Sequence, residues 1–118
     1  MKRIVLVEDD APIRDVIAIA FADDQCEIIL LENGDVILND ELEAPDLFLL
    51  DKQISGTDGL VLCRFIKNHE KYKHVPVLMI SANPYIDALA KDAGADGAVS
   101  KPFSLKQLRD IVFQYLEK

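Results

Sequence analysis

The sequence predicts an α/β protein in which helices cover both faces of a parallel five-stranded sheet. Short apolar runs alternate along the chain with longer segments of helical apolar spacing, as expected for repeated strand–helix units. The runs are continuous, which is typical of parallel strands that are buried on both faces. We therefore expect a doubly wound (βα)5 domain with right-handed crossovers between its strands.

The strands are predicted from four clear apolar runs and one weaker run. They lie at residues 4–7, 28–31, 47–50, 75–80 and 98–99. No linker, low-complexity tract or internal repeat separates them, so residues 1–118 are expected to form a single domain. Because the last helical pattern ends with the chain, we expect no second domain within this sequence. This pattern does not distinguish a stand-alone protein from one part of a larger protein.

The first helix is predicted from an apolar stripe that begins soon after the first strand. Its members recur at helical spacing: Ile13, Val16, Ile17, Ala20 and Phe21. Pro12 falls in the first turn of this helix, where a missing N–H group costs nothing.

The remaining helices are predicted from the residues at their ends. Turn-forming segments open the second, third and fourth helices: Asn33-Gly34, Thr57-Asp58-Gly59 and Asn83-Pro84. The third helix is expected to end near Asn68, and the fourth in a left-handed cap at Gly94. Ser104 and Gln107 have the spacing of a capping box at the start of the fifth helix. The predicted buried face of that helix comprises Leu105, Leu108, Val112, Tyr115 and Leu116.

The composition excludes several classes of partner. The formal net charge is -8 and the pI is near 4.6, which argues against binding to nucleic acid or to an anionic membrane surface. No apolar run approaches the length of a membrane span, and the N-terminus lacks a signal-peptide pattern. Cys26 and Cys63 show no CxxC spacing and are expected to be buried, reduced thiols. A cytoplasmic protein is therefore expected.

Polar residues follow four of the five predicted strands. Glu8, Asp9 and Asp10 follow the first strand, Asp51 the third, Ser81 the fourth and Lys101 the fifth. The carboxyl ends of parallel strands meet at one edge of a sheet, where α/β proteins bind their ligands. These side chains are therefore expected to converge on one site.

The chemistry expected of this site follows from its charges. Two carboxylates at about 4 Å repel by roughly 4 kcal/mol at an effective dielectric constant of 20, and Mg²⁺ with oxygen ligands relieves that repulsion. Beside the metal, Asp51 can act as a nucleophile and form an acyl phosphate. Lys101, the Ser81 hydroxyl and the backbone N–H groups after Ser81 are suited to hold the phosphoryl oxygens. Singly, each residue has an ordinary explanation, such as Asp9 or Asp10 capping a helix; together they favour a site.

Four segments of the chain resemble the receiver (response-regulator) domain of two-component signalling. They are residues 3–14, 49–51 with 56–59, 79–82, and 94–96 with 100–103. Their order and spacing are specific, and the resemblance covers essentially the whole chain. It implies a flavodoxin-like strand order of 2-1-3-4-5.

The resemblance also implies a set of Mg²⁺ ligands. Asp9 and Asp51 would bind the ion directly, and the backbone carbonyl of Gln53 would be a third protein ligand. Glu8 would act largely through water.

The remaining implied roles concern the phosphoryl group. Asp51 would accept it from a phosphohistidine on a histidine kinase or a histidine phosphotransfer protein. Ser81 would move toward the phosphoryl group, the Ala82 N–H would donate to it, and Lys101 would pair with it. The altered surface would be read by a downstream protein partner. Such a domain catalyses only its own phosphorylation and dephosphorylation, so a separate enzymatic activity is not expected. The family usually has a cis peptide at the position of Lys101-Pro102.

The sequence leaves one alternative function open and argues against two others. Ala98 stands where the family usually has a Tyr or Phe, which leaves open a receiver-like protein-interaction module that does not use phosphorylation. A haloacid dehalogenase-type hydrolase would need an Asp at position 53, where this chain has Gln53. A dinucleotide-binding domain would need glycines after the first strand, where Glu8-Asp9-Asp10 would repel a pyrophosphate.

Overall fold

The computed structural model describes residues 2–22, 26–54 and 56–117, and its main sheet contains five parallel strands. These are β1 (Lys2–Val7), β2 (Cys26–Leu31), β3 (Leu47–Asp51), β4 (Val77–Ser81) and β5 (Gly97–Ser100). Their order across the sheet is β2-β1-β3-β4-β5, which confirms the predicted topology. Each predicted apolar run lies in or overlaps one of these strands.

Five helices connect and flank the strands. They are α1 (Ala11–Ala20), α2 (Asp35–Leu38), α3 (Gly59–Asn68), α4 (Ile86–Ala93) and α5 (Leu105–Leu116). One face of the sheet packs with α1 and α5, and the opposite face packs with α2, α3 and α4. The helices therefore cover both faces, as predicted. None of the helices in the described part of the chain has the length and apolarity needed to cross a membrane.

The predicted helix ends agree with the structure. The Asp10 carboxylate caps α1 by accepting from the Ile13 N–H at 3.2 Å. Ser104 and Gln107 form the capping box of α5, with both reciprocal hydrogen bonds present. Gly94 ends α4 in the left-handed region at φ 88°, where a glycine lacks the steric penalty of a side chain.

The buried faces are narrower than the apolar spacing predicts. Val16 of α1 is 47% exposed and Leu105 of α5 is 38% exposed, although both belong to the predicted stripes. Leu30 is also 38% exposed, because β2 pairs only with β1 at an edge of the sheet, so β2 is not covered completely on both faces. Apolar periodicity identifies the inward side of an element but does not determine how far its neighbours extend over it.

A short hairpin after β3 was not predicted. Residues Gln53–Ile54 pair antiparallel with Thr57–Asp58, and Gly56 lies between them at φ 80°. The Gly59 N–H then donates to the Lys52 carbonyl at 2.6 Å. The hairpin therefore returns the chain to the end of β3, directly beside Asp51.

Candidate functional site

The site lies at the carboxyl edge of the sheet, where hydrogen bonding continues one residue beyond the strands. The Lys52 N–H donates to the Ile80 carbonyl, and the Lys101 N–H donates to the Ser81 carbonyl, each at 2.9 Å. Asp51 is in register with Ile80, and Ser81 with Ser100. The backbone thus holds Asp51, Ser81 and Lys101 at adjacent strand ends.

Three carboxylates converge at this edge. One oxygen from each of Glu8, Asp9 and Asp51 lies within 4.8 Å of the other two. Glu8 and Asp51 are buried, at 2% and 7% exposure, whereas Asp9 is exposed. The structure therefore brings together the acidic side chains predicted from β1 and β3. Asp10 has a different role, because its carboxylate caps α1.

Burial of the Glu8 carboxyl and its contact with the adjacent Asp51 carboxyl together raise its pKa from 4.5 to about 8. The Lys101 ammonium opposes this shift. Glu8 Oε2 is buried without a hydrogen-bond partner among the described residues. A buried carboxylate oxygen without a donor carries a large desolvation penalty.

This donor set fits Mg²⁺. The cluster provides oxygen ligands from three side chains, the type of ligand that Mg²⁺ prefers. A cation here would neutralise the repulsion between Glu8 and Asp51 and would satisfy the unpartnered Glu8 oxygen. The exposed position of Asp9 leaves one side of the cluster open to water, which suits an ion that retains part of its hydration shell.

Lys101 partly balances the acidic cluster. Its Nζ lies 3.3 Å from Asp51 Oδ2 and 3.5 Å from Glu8 Oε1. The Lys101 side chain is 25% exposed, so it is only partly buried beside the two carboxylates. The predicted cis peptide at Lys101-Pro102 is present.

Beside Asp51 opens a cleft of about 470 Å³, lined by Ser81, Ala82, Asn83 and Lys101 among others. The Ser81 hydroxyl oxygen accepts the Asn83 N–H at 3.0 Å, which leaves the hydroxyl proton available to another acceptor. The cleft thus presents a hydroxyl and an ammonium group beside Asp51.

Two predicted backbone contributions remain predictions. Gln53 follows Asp51 closely, and its N–H makes a long contact of 3.5 Å with Asp51 Oδ1, but this contact does not test its carbonyl as a metal ligand. Ala82 lines the cleft, which is consistent with, but does not test, an N–H bond to a phosphoryl oxygen.

The structure adds positioning contacts that the sequence does not predict. The Arg14 guanidinium donates to the Glu8 carbonyl at 2.9 Å and so holds the acidic loop. Lys52 Nζ pairs with Asp58 Oδ2 at 3.4 Å, and Asp58 Oδ1 caps α3 through the Leu60 N–H at 2.7 Å. Asp58 belongs to the segment that was predicted to open the third helix, whereas the contacts of Arg14 and Lys52 were not predicted.

Gly59 lies unusually close to the site. A Cβ at this position would come within 2.1 Å of the Asp51 carbonyl oxygen, well inside van der Waals contact. Only glycine therefore allows α3 to begin directly against the end of β3.

Curated relatives show matching sequences over most of the chain. A probable transcriptional regulatory protein of Picosynechococcus sp. is 35% identical over 114 residues, which cover 90% of this chain and 45% of that protein. The phosphate regulon transcriptional regulatory protein PhoB of Pseudomonas aeruginosa is 36% identical over 112 residues, which cover 91% of this chain and 48% of PhoB. The chain thus spans about half the length of these relatives.

Solved structures show the same fold. A BeF3-activated DrrB receiver domain superposes with a TM-score of 0.87 at 28% identity, covering 100% of this chain and 99% of that one. The receiver domain of NtrX from Brucella abortus gives a TM-score of 0.84 at 33% identity, with 98% of each chain covered. The receiver domain of a sensor histidine kinase from Pseudomonas aeruginosa is described with magnesium in its active-site cleft. It gives a TM-score of 0.87 at 24% identity, covering 99% of this chain and 98% of that one.

The family model of the response regulator receiver domain matches residues 4–113. That match includes every side chain of the acidic cluster and both Ser81 and Lys101. With the strand order and the site geometry in agreement, the chain belongs to the response regulator receiver domain family of two-component signalling.

Proposed function

We propose that this chain is a phosphorylation-controlled switch in which Asp51 accepts a phosphoryl group. The observation that carries the proposal is the buried Asp51 carboxylate, which is grouped with two other carboxylates and paired with Lys101 at 3.3 Å. This arrangement combines a nucleophile, an oxygen-rich cation site and a positive group that can hold a phosphoryl oxygen. The donor is a phosphohistidine on a histidine kinase or a histidine phosphotransfer protein.

The metal-binding part of the proposal rests on Glu8, Asp9 and Asp51, with the Gln53 carbonyl as a backbone ligand. When bound, Mg²⁺ supplies positive charge that offsets the negative charge of the incoming phosphoryl group. The unpartnered Glu8 Oε2 and the raised pKa of Glu8 support this assignment, because burial and the adjacent Asp51 carboxyl both disfavour a charged Glu8 that the described residues do not fully compensate.

In the proposed reaction, an Asp51 carboxylate oxygen forms a bond to phosphorus while the donor's N–P bond breaks. The electron pair of that bond stays with the ring nitrogen of the donor. Lys101 and the Ser81 hydroxyl contact the phosphoryl oxygens, together with the Ala82 N–H. Their places at adjacent strand ends support these roles, since groups held by the sheet need little rearrangement.

The switch follows from the new contacts. The Ser81 hydroxyl turns toward the phosphoryl group, which changes its present bond with the Asn83 N–H and the loop after β4. Phosphorylation therefore favours one of two arrangements of the loops after β4 and β5. A downstream protein partner reads the altered surface. The chain has no separate enzymatic activity in this proposal.

The formal net charge of the chain is -8, which supports protein partners over direct contact with nucleic acid or membrane. Cys26 and Cys63 are buried as thiols, which supports a reducing, cytoplasmic location.

The test is the intact mass of the protein after incubation with Mg²⁺ and acetyl phosphate. We expect one phosphoryl adduct, which is absent without metal and absent in Asp51→Asn. Backbone amide spectra with Mg²⁺ and beryllofluoride provide a second readout that needs no donor. We expect shifts in the loops after β4 and β5 of the wild type and none in Asp51→Asn.

A second candidate is a receiver-like interaction module that does not use phosphorylation, which Ala98 favours because the usual aromatic residue is missing there. Failure of the protein both to form the adduct and to respond to Mg²⁺ with beryllofluoride would overturn our proposal in favour of this module.

A further inference from the structure

Tyr85 is an aromatic side chain in an unusual position at the mouth of the cleft. It lines the same cleft as Asp51 and Lys101, and it is 72% exposed. Tyr85 is the only aromatic residue among the exposed large hydrophobic side chains of the described residues. Within the same part of the chain, its ring and hydroxyl have no side-chain hydrogen bond or ring contact.

The backbone around Tyr85 is nevertheless well anchored. The Tyr85 N–H donates to Asn83 Oδ1 at 2.8 Å, and the Tyr85 carbonyl accepts from the Leu89 N–H at 3.0 Å. The next residue, Ile86, is 1% exposed and anchors the start of α4 in the core. An exposed ring on a fixed backbone is a preorganised contact surface, since little backbone order is lost when something binds to it.

The geometry of phosphoryl transfer determines which part of the phosphoryl donor comes close to the Tyr85 ring. The attacking oxygen, the phosphorus and the leaving group lie roughly in line. Asp51 is at the inner end of the cleft, 7% exposed, so the leaving group must lie at the outer end. Tyr85 lines the same cleft and is 72% exposed, so we infer that its ring lies toward that outer end.

We propose that Tyr85 binds the leaving group of the phosphoryl donor and makes the site selective for an aromatic, phosphoimidazole-type donor such as phosphohistidine. This inference rests on the proposed function of Asp51. The imidazole ring is planar and, in the reactive donor, carries a proton on its second nitrogen. It can stack on the tyrosine ring and gain a cation–π attraction to the ring face.

The transfer step balances without any further reactant. The Asp51 carboxylate forms an O–P bond, and the N–P bond of the protonated phosphoimidazole breaks. Its electron pair passes to the ring nitrogen, so the ring leaves as neutral imidazole with its proton still on the other nitrogen. Tyr85 contacts the ring before and after transfer and exchanges no proton.

The test compares two small donors that share an N–P bond and differ in the leaving group. Phosphoimidazole releases an aromatic ring, and phosphoramidate releases ammonia. The apparent second-order rate constant of Asp51 adduct formation is measured by intact mass, at saturating Mg²⁺, for wild type, Tyr85→Ala and Tyr85→Phe. Val61→Ala, which truncates a side chain on α3 that is 52% exposed, serves as the control.

We expect Tyr85→Ala to lower the ratio of the phosphoimidazole rate constant to the phosphoramidate rate constant about three- to tenfold, the scale of one aromatic contact. Tyr85→Phe and Val61→Ala should keep the wild-type ratio within about twofold. An unchanged ratio in Tyr85→Ala, with the adduct still formed, would overturn the role of Tyr85 and leave the proposed function standing. Absence of an adduct from both donors on the wild type, together with no response to Mg²⁺ and beryllofluoride, would overturn both.

Discussion

Lys101 Nζ lies 3.3 Å from Asp51 Oδ2, although the two residues are 50 positions apart in the chain. The ammonium also lies 3.5 Å from Glu8 Oε1, so one cation serves two buried carboxylates. The contact joins the ends of β3 and β5, which are separated in the sheet by β4. Lys101 therefore contributes to the charge balance of both carboxylates at this edge.

Replacement of Lys101 should separate metal binding from phosphoryl transfer. In Lys101→Met we expect Mg²⁺ to bind about threefold or more tightly, because a positive charge near the cation site is lost. We expect adduct formation to slow by about 10²-fold, because a group that stabilises the phosphoryl oxygens is missing. Magnesium titration and intact-mass kinetics measure the two effects.

Lys106→Met is the matched control, since Lys106 pairs with Asp110 on the exposed surface of α5. Weaker Mg²⁺ binding in Lys101→Met would contradict the charge-balance account.

Glu8 should make the metal-free protein less stable as the pH rises. Its pKa in the folded state, about 8, lies above its ordinary value of 4.5, so between these values the folded state binds more protons than the unfolded chain. The free energy of unfolding should therefore fall from about pH 4.5 to about pH 8. Glu8→Gln should remove this loss and stabilise the metal-free protein by about 2 kcal/mol at pH 8.

Chemical unfolding in EDTA across this pH range measures the effect, with the exposed Glu70→Gln as control. Added Mg²⁺ should stabilise the wild type more than Glu8→Gln. If the free energy of unfolding changed with pH equally in the wild type and Glu8→Gln, Glu8 would not be the source of the pH dependence.

The Lys52–Asp58 pair and the Asp58 cap should contribute separately to stability. Asp58 is 45% exposed in its side chain, so loss of the ion pair in Lys52→Met should lower the free energy of unfolding by less than about 1 kcal/mol. Asp58→Ala should lower it by about 1–2 kcal/mol, because the cap of α3 is lost as well.

Asp58→Asn distinguishes the two contributions, since asparagine caps a helix about as well as aspartate and carries no charge. In urea unfolding of the three variants, Asp58→Asn should lower the free energy of unfolding by about as much as Lys52→Met does. A value for Asp58→Asn as large as that for Asp58→Ala would contradict the assigned cap.

Gly59 should tolerate substitution much less than Gly56. A Cβ at Gly59 would lie 2.1 Å from the Asp51 carbonyl oxygen, so Gly59→Ala must displace α3 or β3 and should cost about 3 kcal/mol or more. Gly56 has φ 80° but open space around its Cβ position, so Gly56→Ala should cost about 1 kcal/mol. Thermal unfolding compares them, and equal losses would contradict the close approach at Gly59.

The sequence predicted the strand–helix order and most of the site because both depend on local patterns. Continuous apolar runs identified the core strands, and the residues directly after β1, β3, β4 and β5 were expected at one edge of a parallel sheet. The structure places Glu8, Asp9, Asp51, Ser81 and Lys101 there. End signals such as Ser104 and Gln107 were equally reliable, since a cap involves only neighbouring residues.

The features that were missed depend on contacts between distant parts of the chain. The exposure of Val16 and Leu30 reflects how far neighbouring elements extend over α1 and β2. The hairpin formed by residues 53–54 and 57–58 was missed because strands of two residues are too short to show a pattern in the sequence.

The sequence by itself determined the fold class, the strand order implied by its resemblance and the identity of the acidic, hydroxyl and cationic residues at the sheet edge. These follow from periodicity and from the residue next to each strand end. Only the tertiary structure decided that Lys101 spans Asp51 and Glu8, that Glu8 is buried with an unpartnered oxygen, and that Tyr85 stands exposed at the mouth of the cleft. Burial and side-chain pairing arise from the packing of elements far apart in the chain, and no local pattern encodes them.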